Sequence, residues 1–472
     1  MTINTLRKCF DTIKIRLLFY IFSPRKYFFM KKPILLIFFL ILFTPFLNAQ
    51  TDTLVEHTKT GYNFGALPIV GFSTDVGVLW GIIFNIFNYH DGKIYPKYYQ
   101  NLYLEVSKTS KGGRTYQMFF DSEHVIKGIR VTVDASHLTE QALPFYGFNG
   151  TESVFNSNLQ DDESAAYISR MFYRYDRKLT RVLVNLQGAF GASYFKWLAG
   201  AQTINYEINS VDVDALNKGL SDSKKLKKVD GLYDDYVKWG LIDAKEKNGN
   251  RLNFLTLGTV YDTRDNEPNP NRGIWSEAIV AVAPGAVNPE NGFTRLALTY
   301  RQYLSLIPNR LTFAYRLNWR QTILGKTPFY FLSYQLSSRP FSTNVDGLGG
   351  SNTIRGILRN RIIGEGMAMG NAELRLKAFQ TYWHNQNIYF SFTSFYDAGI
   401  VTKKQEMNLA LVPTAERQNF FDTNQAGYLN QSAGVGMHLV MNQNFNVSFD
   451  FGKAFSKVDG TYGFYMGMGY IF

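Results

Sequence analysis

The chain has 472 residues, of which 16% are aromatic and 19% are charged, and its formal net charge is +12. Residues 1–49 hold eight of the lysines and arginines and one of the acidic residues, so the rest of the chain is only weakly basic and its charge predicts no nucleic-acid partner. The only cysteine is Cys9, which leaves the later chain without a thiol for a disulfide, for thiolate catalysis or for a metal site.

The N-terminal segment has the three parts of a secretory signal peptide. Met30 is followed by two lysines, an apolar run occupies 33–47, and Ala49 provides a small residue for cleavage. The run has about 15 residues, which is short for a membrane helix of ~20. The predicted division is 1–29 as an over-extended gene start, 30–49 as signal peptide, 50–60 as a short periplasmic segment and 61–472 as a barrel. The alternative is an uncleaved N-terminal anchor.

Alternation of apolar and polar residues predicts strands through the remainder of the chain. Leu311, Phe313 and Leu317 share one face of such a segment, whereas Arg316 and Arg320 share the other. The predicted strands are 61–71, 76–88, 98–109, 112–124, 128–138, 167–176, 179–195, 251–263, 273–284, 293–305, 309–323, 367–379, 386–400, 427–441, 445–455 and 462–472. Their number is sixteen, and single-chain bacterial barrels have an even number of strands.

The lengths of the connections test this assignment independently. Outer-membrane barrels alternate short periplasmic turns with long external loops. The long connections are 139–166, 196–250, 324–366 and 401–426, and all of them follow odd-numbered strands. A short turn is expected at Asp176-Arg177-Lys178. We therefore predict an all-β fold, a 16-stranded antiparallel transmembrane β-barrel in the outer membrane of a Gram-negative bacterium, with both termini periplasmic and outer-membrane lipid as its surroundings.

Three motifs in the second half of the chain follow one another at close spacing. They are Gly349-Gly350-Ser351-Asn352-Thr353-Ile354-Arg355-Gly356 in a loop, Gly370-Asn371-Ala372-Glu373-Leu374-Arg375 on the next strand, and Phe395-Tyr396-Asp397-Ala398-Gly399 on the strand after that. Alternation places Glu373 and Asp397 in the lumen on adjacent strands. If the loop folds into the barrel, Arg355 can meet both carboxylates, because a guanidinium is a planar fork of donors. Gly356 would allow the sharp bend beside it.

The sequence therefore predicts a loop-lock salt-bridge set. Its members are Arg355, Gly356, Glu373 and Asp397, with Gly350, Ile354, Phe395 and Gly399 as the supporting motif. The set is either a purely structural clamp that plugs the lumen or part of a cycle in which the loop helps the barrel to open.

The last segment, 462–472, also alternates. Tyr462, Phe464 and Met466 share a face with Tyr470 and Phe472, and this large apolar face is expected to meet lipid. A final aromatic strand that ends in phenylalanine resembles the C-terminal assembly signal of outer-membrane proteins, and Tyr470 and Phe472 would belong to that signal.

With these motifs in order, the chain resembles the BamA/TamA-type outer-membrane barrel superfamily (bacterial surface antigen family). That family has an Arg-Gly motif at the tip of an inward-folded sixth external loop, locked to acidic residues on the next two strands. Arg355-Gly356 matches the tip, although Ile357 replaces the usual aromatic residue. The family's periplasmic turn, Asp-x-Arg-Asp followed by Pro-x-x-Gly, is matched on the residues Asp262, Arg264, Asp265, Pro270 and Gly273.

One departure concerns the region before the barrel. Most members of the family have periplasmic repeat domains there, whereas about 11 residues separate Gln50 from the first predicted strand. The resemblance therefore implies a barrel-only member, for which another chain would supply the periplasmic domains.

The resemblance implies a protein that assists insertion or export of proteins or lipids at the outer membrane, through a weak closure between the first and last strands. Other periplasmic or outer-membrane assembly proteins are the expected partners. The alternatives are a passive channel and a barrel whose long loops bind surface proteins or glycans. The six histidines lack metal-ligand spacing, and no catalytic residue, metal or cofactor is predicted.

Overall fold

The computed structural model describes residues 58–472 apart from 96, 289–291, 340–344 and 444. The predicted signal peptide and its flanking segments to residue 57 lie outside the described residues. The described chain forms a closed antiparallel barrel in which each strand pairs with its neighbours in sequence and β1 pairs with β16. The predicted sixteen-stranded antiparallel barrel is thereby confirmed.

The strands have the following bounds: β1 Tyr62–Ser73, β2 Gly77–Asn88, β3 Gln100–Thr109, β4 Arg114–Ile126, β5 Ile129–Pro144, β6 Arg174–Ala189, β7 Phe195–Asn209, β8 Arg251–Asp262, β9 Gly273–Ala283, β10 Phe293–Ile307, β11 Leu311–Gly325, β12 Gly366–Trp383, β13 Gln386–Lys403, β14 Asn430–Met441, β15 Phe445–Ala454 and β16 Tyr462–Met468. Within the described residues, short α-helices lie only in the loops: α1 Val213–Asn217, α2 Leu232–Lys238 and α3 Thr414–Phe420. None of the helices in the described residues has the length and apolarity to cross a membrane.

The two faces of the wall differ as the alternation predicts. Leu298, Leu317 and Phe84 lie on the exposed outer face, whereas Arg316 and Arg320 are buried inside. Because backbone hydrogen bonds join consecutive strands and apolar side chains cover the outside, the wall suits a hydrocarbon environment.

The long connections all leave from one end of the barrel, here called the long-loop end. They are 145–173, 210–250, 326–365 and 404–429, and we call 326–365 the sixth loop because it is the sixth connection at that end. Rings from all four loops pack together above the lumen. The Tyr236 ring lies 5.2 Å from Phe145 and 5.8 Å from Phe421, and the Phe148 ring lies 6.4 Å from Phe329. We call this cluster the aromatic roof, and the opposite end the short-turn end.

Two predicted strands are wrong in position. The structure places Asp176-Arg177-Lys178 inside β6, where they pair with β7, and the turn at 190–194 instead. The polar triplet resembles a turn, but the Arg177 side chain points inward and forms ion pairs with Glu140 and Asp346. The charged triplet therefore indicates a contact inside the lumen, not a turn.

The predicted end of the last strand, at residue 472, is also wrong. β16 ends at Met468, and the four residues after it turn into the lumen. Phe472 is buried beside Tyr303 and Ala314, and the Tyr470 ring stacks on His438 at 4.3 Å. Their predicted lipid-facing position is therefore incorrect, because Gly469 adopts a left-handed φ of 83° that interrupts the alternation.

Candidate functional site

The sixth loop carries a narrow hairpin into the barrel. Leu348 and Ile362 exchange two backbone hydrogen bonds, of 3.0 and 3.1 Å, which bring the hairpin's two arms together. Gly349 and Gly350 begin its tip with φ of 106° and 90°, values that other residues rarely adopt. This geometry delivers Arg355 to the interior, where the residue is completely buried.

Arg355 contacts three carboxylates from three strands. Its Nε donates to Asp397 on β13 at 2.9 Å and its Nη2 donates to the same group at 3.1 Å. Nη2 makes an ion contact of 2.8 Å with Glu373 on β12, and Nη1 lies 3.5 Å from Asp450 on β15. The structure thus brings Arg355, Glu373 and Asp397 together.

An aromatic ring and an amide complete the surroundings of the guanidinium. Its carbon lies 3.4 Å from the centroid of the Phe395 ring, which gives it a cation–π contact. Asn371 donates to Asp397 at 2.8 Å and to the carbonyl of Thr353 at 2.7 Å. Since buried charges stay stable only when paired and hydrogen-bonded, these contacts hold the tip of the loop in one position. We call Arg355, Glu373, Asp397, Asp450, Asn371 and Phe395 the arginine cluster.

Two glycines of the wall make room for the tip. A Cβ on Gly452 would lie 2.7 Å from the carbonyl carbon of Arg355 and 2.8 Å from the nitrogen of Gly356. A Cβ on Gly399 would lie 2.4 Å from the Cδ1 of Ile354. Gly356 itself has φ of 89°, and its N–H donates to the Tyr465 hydroxyl at 3.0 Å. The tip therefore rests directly on β15 and reaches β16.

Sequence reasoning missed Asp450, Gly452, Tyr465 and Asn371. One signal was present for two of them, because Asp450-Phe451-Gly452 repeats the Asp-x-Gly spacing of Asp397-Ala398-Gly399. The repeat places a carboxylate in the lumen and a glycine on the same face two residues later. Asn371 stands in the second motif, two residues before Glu373 and on the same face, but alternation did not predict its bond to Asp397. Tyr465 carried no comparable signal.

Glu373 links the arginine cluster to the C-terminal residues. Its second oxygen pairs with Arg375 at 2.7 Å, and Arg375 donates to the Phe472 carbonyl group at 3.0 Å. The Arg375 guanidinium also lies over the Tyr470 and Phe472 rings, at 4.0 and 5.0 Å. One buried carboxylate is therefore shared between the sixth loop and the C-terminal tail, residues 469–472.

The predicted turn motif lies between β8 and β9 at the short-turn end. Arg264 pairs with Asp262 at 2.8 Å. Asp265 accepts backbone hydrogen bonds from Asn271 at 3.0 Å and from Arg272 at 3.3 Å. Gly273 has φ of 103°, and a Cβ there would lie 2.3 Å from the carbonyl oxygen of Thr263. The motif thus folds into one compact turn.

The chemistry available in the interior is ionic and structural. In the described part of the chain, no group of three or more histidine, cysteine or acidic residues is arranged to hold a metal ion. The arrangement holds the sixth loop, the C-terminal tail and the wall together.

A family model described as the Omp85 superfamily domain matches residues 143–472, well over half of the chain. A comparison with curated protein sequences found no match. Among solved structures, BamA from Haemophilus ducreyi lacking POTRA domains 1–3 is 14% identical, with 88% of this chain and 70% of that chain covered and a TM-score of 0.49.

Two further solved structures are similar to this chain, with identities and TM-scores in the same range. CdiB from Acinetobacter baumannii is 14% identical, with 88% of this chain and 61% of that chain covered and a TM-score of 0.45. CdiB from Escherichia coli is 8% identical, with 86% and 67% covered and a TM-score of 0.48. The chain thus spans less than two thirds of the Acinetobacter baumannii protein.

Proposed function

The chain belongs to the Omp85 superfamily, and from this premise we propose that it is an outer-membrane barrel that assists insertion or export of proteins or lipids by opening between β1 and β16. The observation that carries the proposal is the poor closure of the wall at this seam. β1 pairs with β2 along its whole length, from Tyr62 to Ser73, whereas its ladder with β16 is the single pair Ser73 and Tyr465.

The C-terminal tail contributes to the short seam. Residues 469–472 turn into the lumen and do not prolong β16, and the edge of β1 from Tyr62 to Phe72 pairs with no strand of the described chain other than β2. Such an edge presents N–H and C=O groups that an incoming strand can bind. An opening seam would therefore offer both a lateral exit and a template for a client strand.

The contents of the lumen favour opening of the wall over a permanent pore. The sixth loop passes inside the barrel, and Arg295 of β10 donates to the carbonyls of Phe331 and Leu332 at 2.7 and 3.2 Å. The aromatic roof lies above this segment. A passive channel would need these packed groups to leave.

We also propose that the short-turn end faces the periplasm. Long loops outside and short turns inside are the common arrangement of outer-membrane barrels. A client would then approach from the short-turn end, with periplasmic domains supplied by a partner protein. The arginine cluster would act without enzymatic chemistry, as a reversible attachment for the sixth loop.

A disulfide across the seam tests the proposal. Thr74 and Phe464 are joined by hydrogen bonds of 3.0 and 2.9 Å, so cysteines at these positions are close enough to bridge. Thr74→Cys with Phe464→Cys is expected to stop the protein, reconstituted in liposomes, from accelerating the folding of an added outer-membrane barrel. Reduction should restore the acceleration.

The matched control bridges a firm part of the wall. Phe84 of β2 and Leu104 of β3 are register partners, and a disulfide between them should leave client folding unchanged. If the completely oxidised seam variant accelerates client folding as well as its reduced form does, lateral opening is not the mechanism.

A further inference from the structure

The turn between β8 and β9, residues 263–272, lies across the short-turn end instead of projecting from it. Asn266 and Asn269 are almost completely buried, although they belong to a connection between strands. The internal bonds to Asp265 keep the turn compact. A buried turn of this kind needs contacts on the walls around it.

One side of the turn is fixed to β5 through a pair of charges. Arg130 donates to both oxygens of Glu267, at 2.7 and 2.8 Å. The same guanidinium donates to both oxygens of Asp121 on β4, at 2.9 and 2.6 Å. Asp121 thus holds the Arg130 guanidinium in place, and Arg130 in turn holds Glu267 through two parallel hydrogen bonds.

The other side of the turn contacts the opposite part of the wall. Asn266 donates to the side chain of Gln443, in the turn between β14 and β15, at 3.1 Å. Asn269 donates to the hydroxyl of Tyr389 on β13. In the closed strand order, β5 and β14 lie on opposite sides of the ring, so the turn spans the opening from side to side.

The sixth loop meets the turn from inside the barrel. Arg339 forms an ion pair with Glu267, lies 3.3 Å from Asp121 and donates to the hydroxyl of Tyr98 at 2.6 Å. Glu267 is therefore shared between the wall, through Arg130, and the sixth loop, through Arg339. Arg355 and Arg339 hold the same loop at two separate places.

The charge of Glu267 is stable in this position. Burial acts to raise the pKa of its carboxyl, but the Arg130 and Arg339 guanidiniums outweigh burial and hold that pKa well below its usual range. The carboxylate therefore stays ionised at every physiological pH, and the contact with the sixth loop remains a salt bridge.

We propose that residues 263–272 form a floor that closes the short-turn end of the barrel, and that Glu267 latches the sixth loop to this floor through Arg339. The floor gives the Asp262–Gly273 motif a role: the motif builds a rigid turn that positions Glu267 and Asn266 at opposite walls. Release of Glu267 would free the β5 side of the floor and the part of the sixth loop around Arg339 together.

Crosslinking tests the position of the floor. Cysteines at Asn266 and Gln443 should be joined by a short bismaleimide in membranes that contain the otherwise unchanged protein, because the two side chains meet across the opening. Variants that carry only one of the two cysteines serve as the control, because any crosslink in them must join two molecules. If the double variant is not crosslinked, the turn does not span the end and the proposal is overturned.

Hydrogen exchange tests the latch. In Glu267→Gln, the backbone amides of 329–339 should exchange at least tenfold faster, while those of 350–357 at the arginine cluster keep their protection. Glu105→Gln is the matched control, because Glu105 bonds to Tyr103 and Ser107 and to no group of the sixth loop within the described residues. Unchanged exchange in 329–339 would disprove the latch. Neither measurement involves the seam, so both outcomes are independent of the proposed lateral opening.

Discussion

The barrel wall has a firm region and a weak one, and the tip of the sixth loop touches both. β12 and β13 pair from Gly366 and Lys403 to Trp383 and Gln386, whereas β1 and β16 share one register pair. Arg355 is held on the firm side by Glu373 and Asp397. The region with the long ladder therefore also holds the Arg355 side chain, whereas the seam has almost no backbone ladder.

On the weak side, loop contacts replace the missing ladder. The N–H of Ser351 donates to Asp75, in the turn between β1 and β2, at 3.0 Å. The N–H of Gly356 donates to Tyr465 of β16. The hairpin tip thus binds both sides of the seam while it is anchored on β12 and β13. Separation of β1 from β16 would break one register pair, whereas separation of β12 from β13 would break a ladder along the whole of both strands.

The largest effect is expected from removal of the anchor on the firm side. Arg355→Ala leaves the carboxylates of Glu373, Asp397 and Asp450 together without their cation, and breaking such a buried pair costs about 3–5 kcal/mol. We expect the unfolding free energy in urea to fall by about this amount and protease to cut the sixth loop.

The control for this variant is Arg251→Ala, which removes an exposed arginine from β8 and should change the unfolding free energy by less than about 0.5 kcal/mol. Arg355→Lys should recover only part of the loss, because an ammonium cannot bind two carboxylates as a planar fork. A variant Arg355→Ala with wild-type stability and a protected loop would show that the seam side alone holds the tip.

A smaller effect is expected where the tip rests on β15. In Gly452→Ala the new methyl group would lie 2.7 Å from the Arg355 carbonyl carbon, so the tip has to move away from the seam strands. Overpacking of this kind costs about 1–3 kcal/mol. The client-folding rate should change as well, because the contact of Gly356 with β16 moves with the tip.

Gly467→Ala separates this packing effect from a general effect of glycine replacement. Gly467 also lies near the seam, on β16, but a Cβ there would meet only the Ser448 hydroxyl at an ordinary 3.6 Å. We expect its unfolding free energy to match the wild type within about 0.5 kcal/mol. Equal losses in the two alanine variants would contradict the role of Gly452 as the support of the tip.

The firm region was easier to predict from sequence than the weak one. Period-two alternation fixes which side chains face the lumen, so Glu373 and Asp397 could be placed near each other, and Arg355 was the cation able to reach them. The sixteen strands followed from the same alternation. The strand boundaries around Arg177 did not, because a charged triplet looks alike in a turn and on a lumen face.

The weak region depends on contacts that have no local pattern. The inward course of Tyr470 and Phe472 is decided by Arg375 and Arg316, which hold the tail through bonds to the Phe472 and Ile471 carbonyl groups. These arginines lie about 100 residues or more before the tail in the chain. Alternation alone extends β16 to its last residue, since it contains no information about a distant partner.

The smallest effect concerns the seam side itself and depends on pH. Burial raises the pKa of the Asp75 carboxyl to about 6, against the pull of Arg359. The folded protein therefore binds this proton more tightly than the unfolded chain. The stabilisation that the protonated Asp75 carboxyl gives to the folded state is complete below the unfolded pKa of 3.8, and it is lost as pH rises through about 6. Asp75→Asn should remove this loss, because the amide oxygen can still accept from Ser351.

The measurement is the difference in unfolding free energy between Asp75→Asn and the wild type, taken at pH 4.5 and at pH 7.5, so that the other carboxyls cancel. The difference should favour Asp75→Asn by about 1 kcal/mol more at the higher pH. Asp91→Asn is the control: the hydrogen bond from Lys93 holds the pKa of Asp91 below its usual range, so this replacement should produce no rise over the same interval. If both variants behave alike, ionisation of the buried Asp75 carboxyl does not destabilise the folded protein.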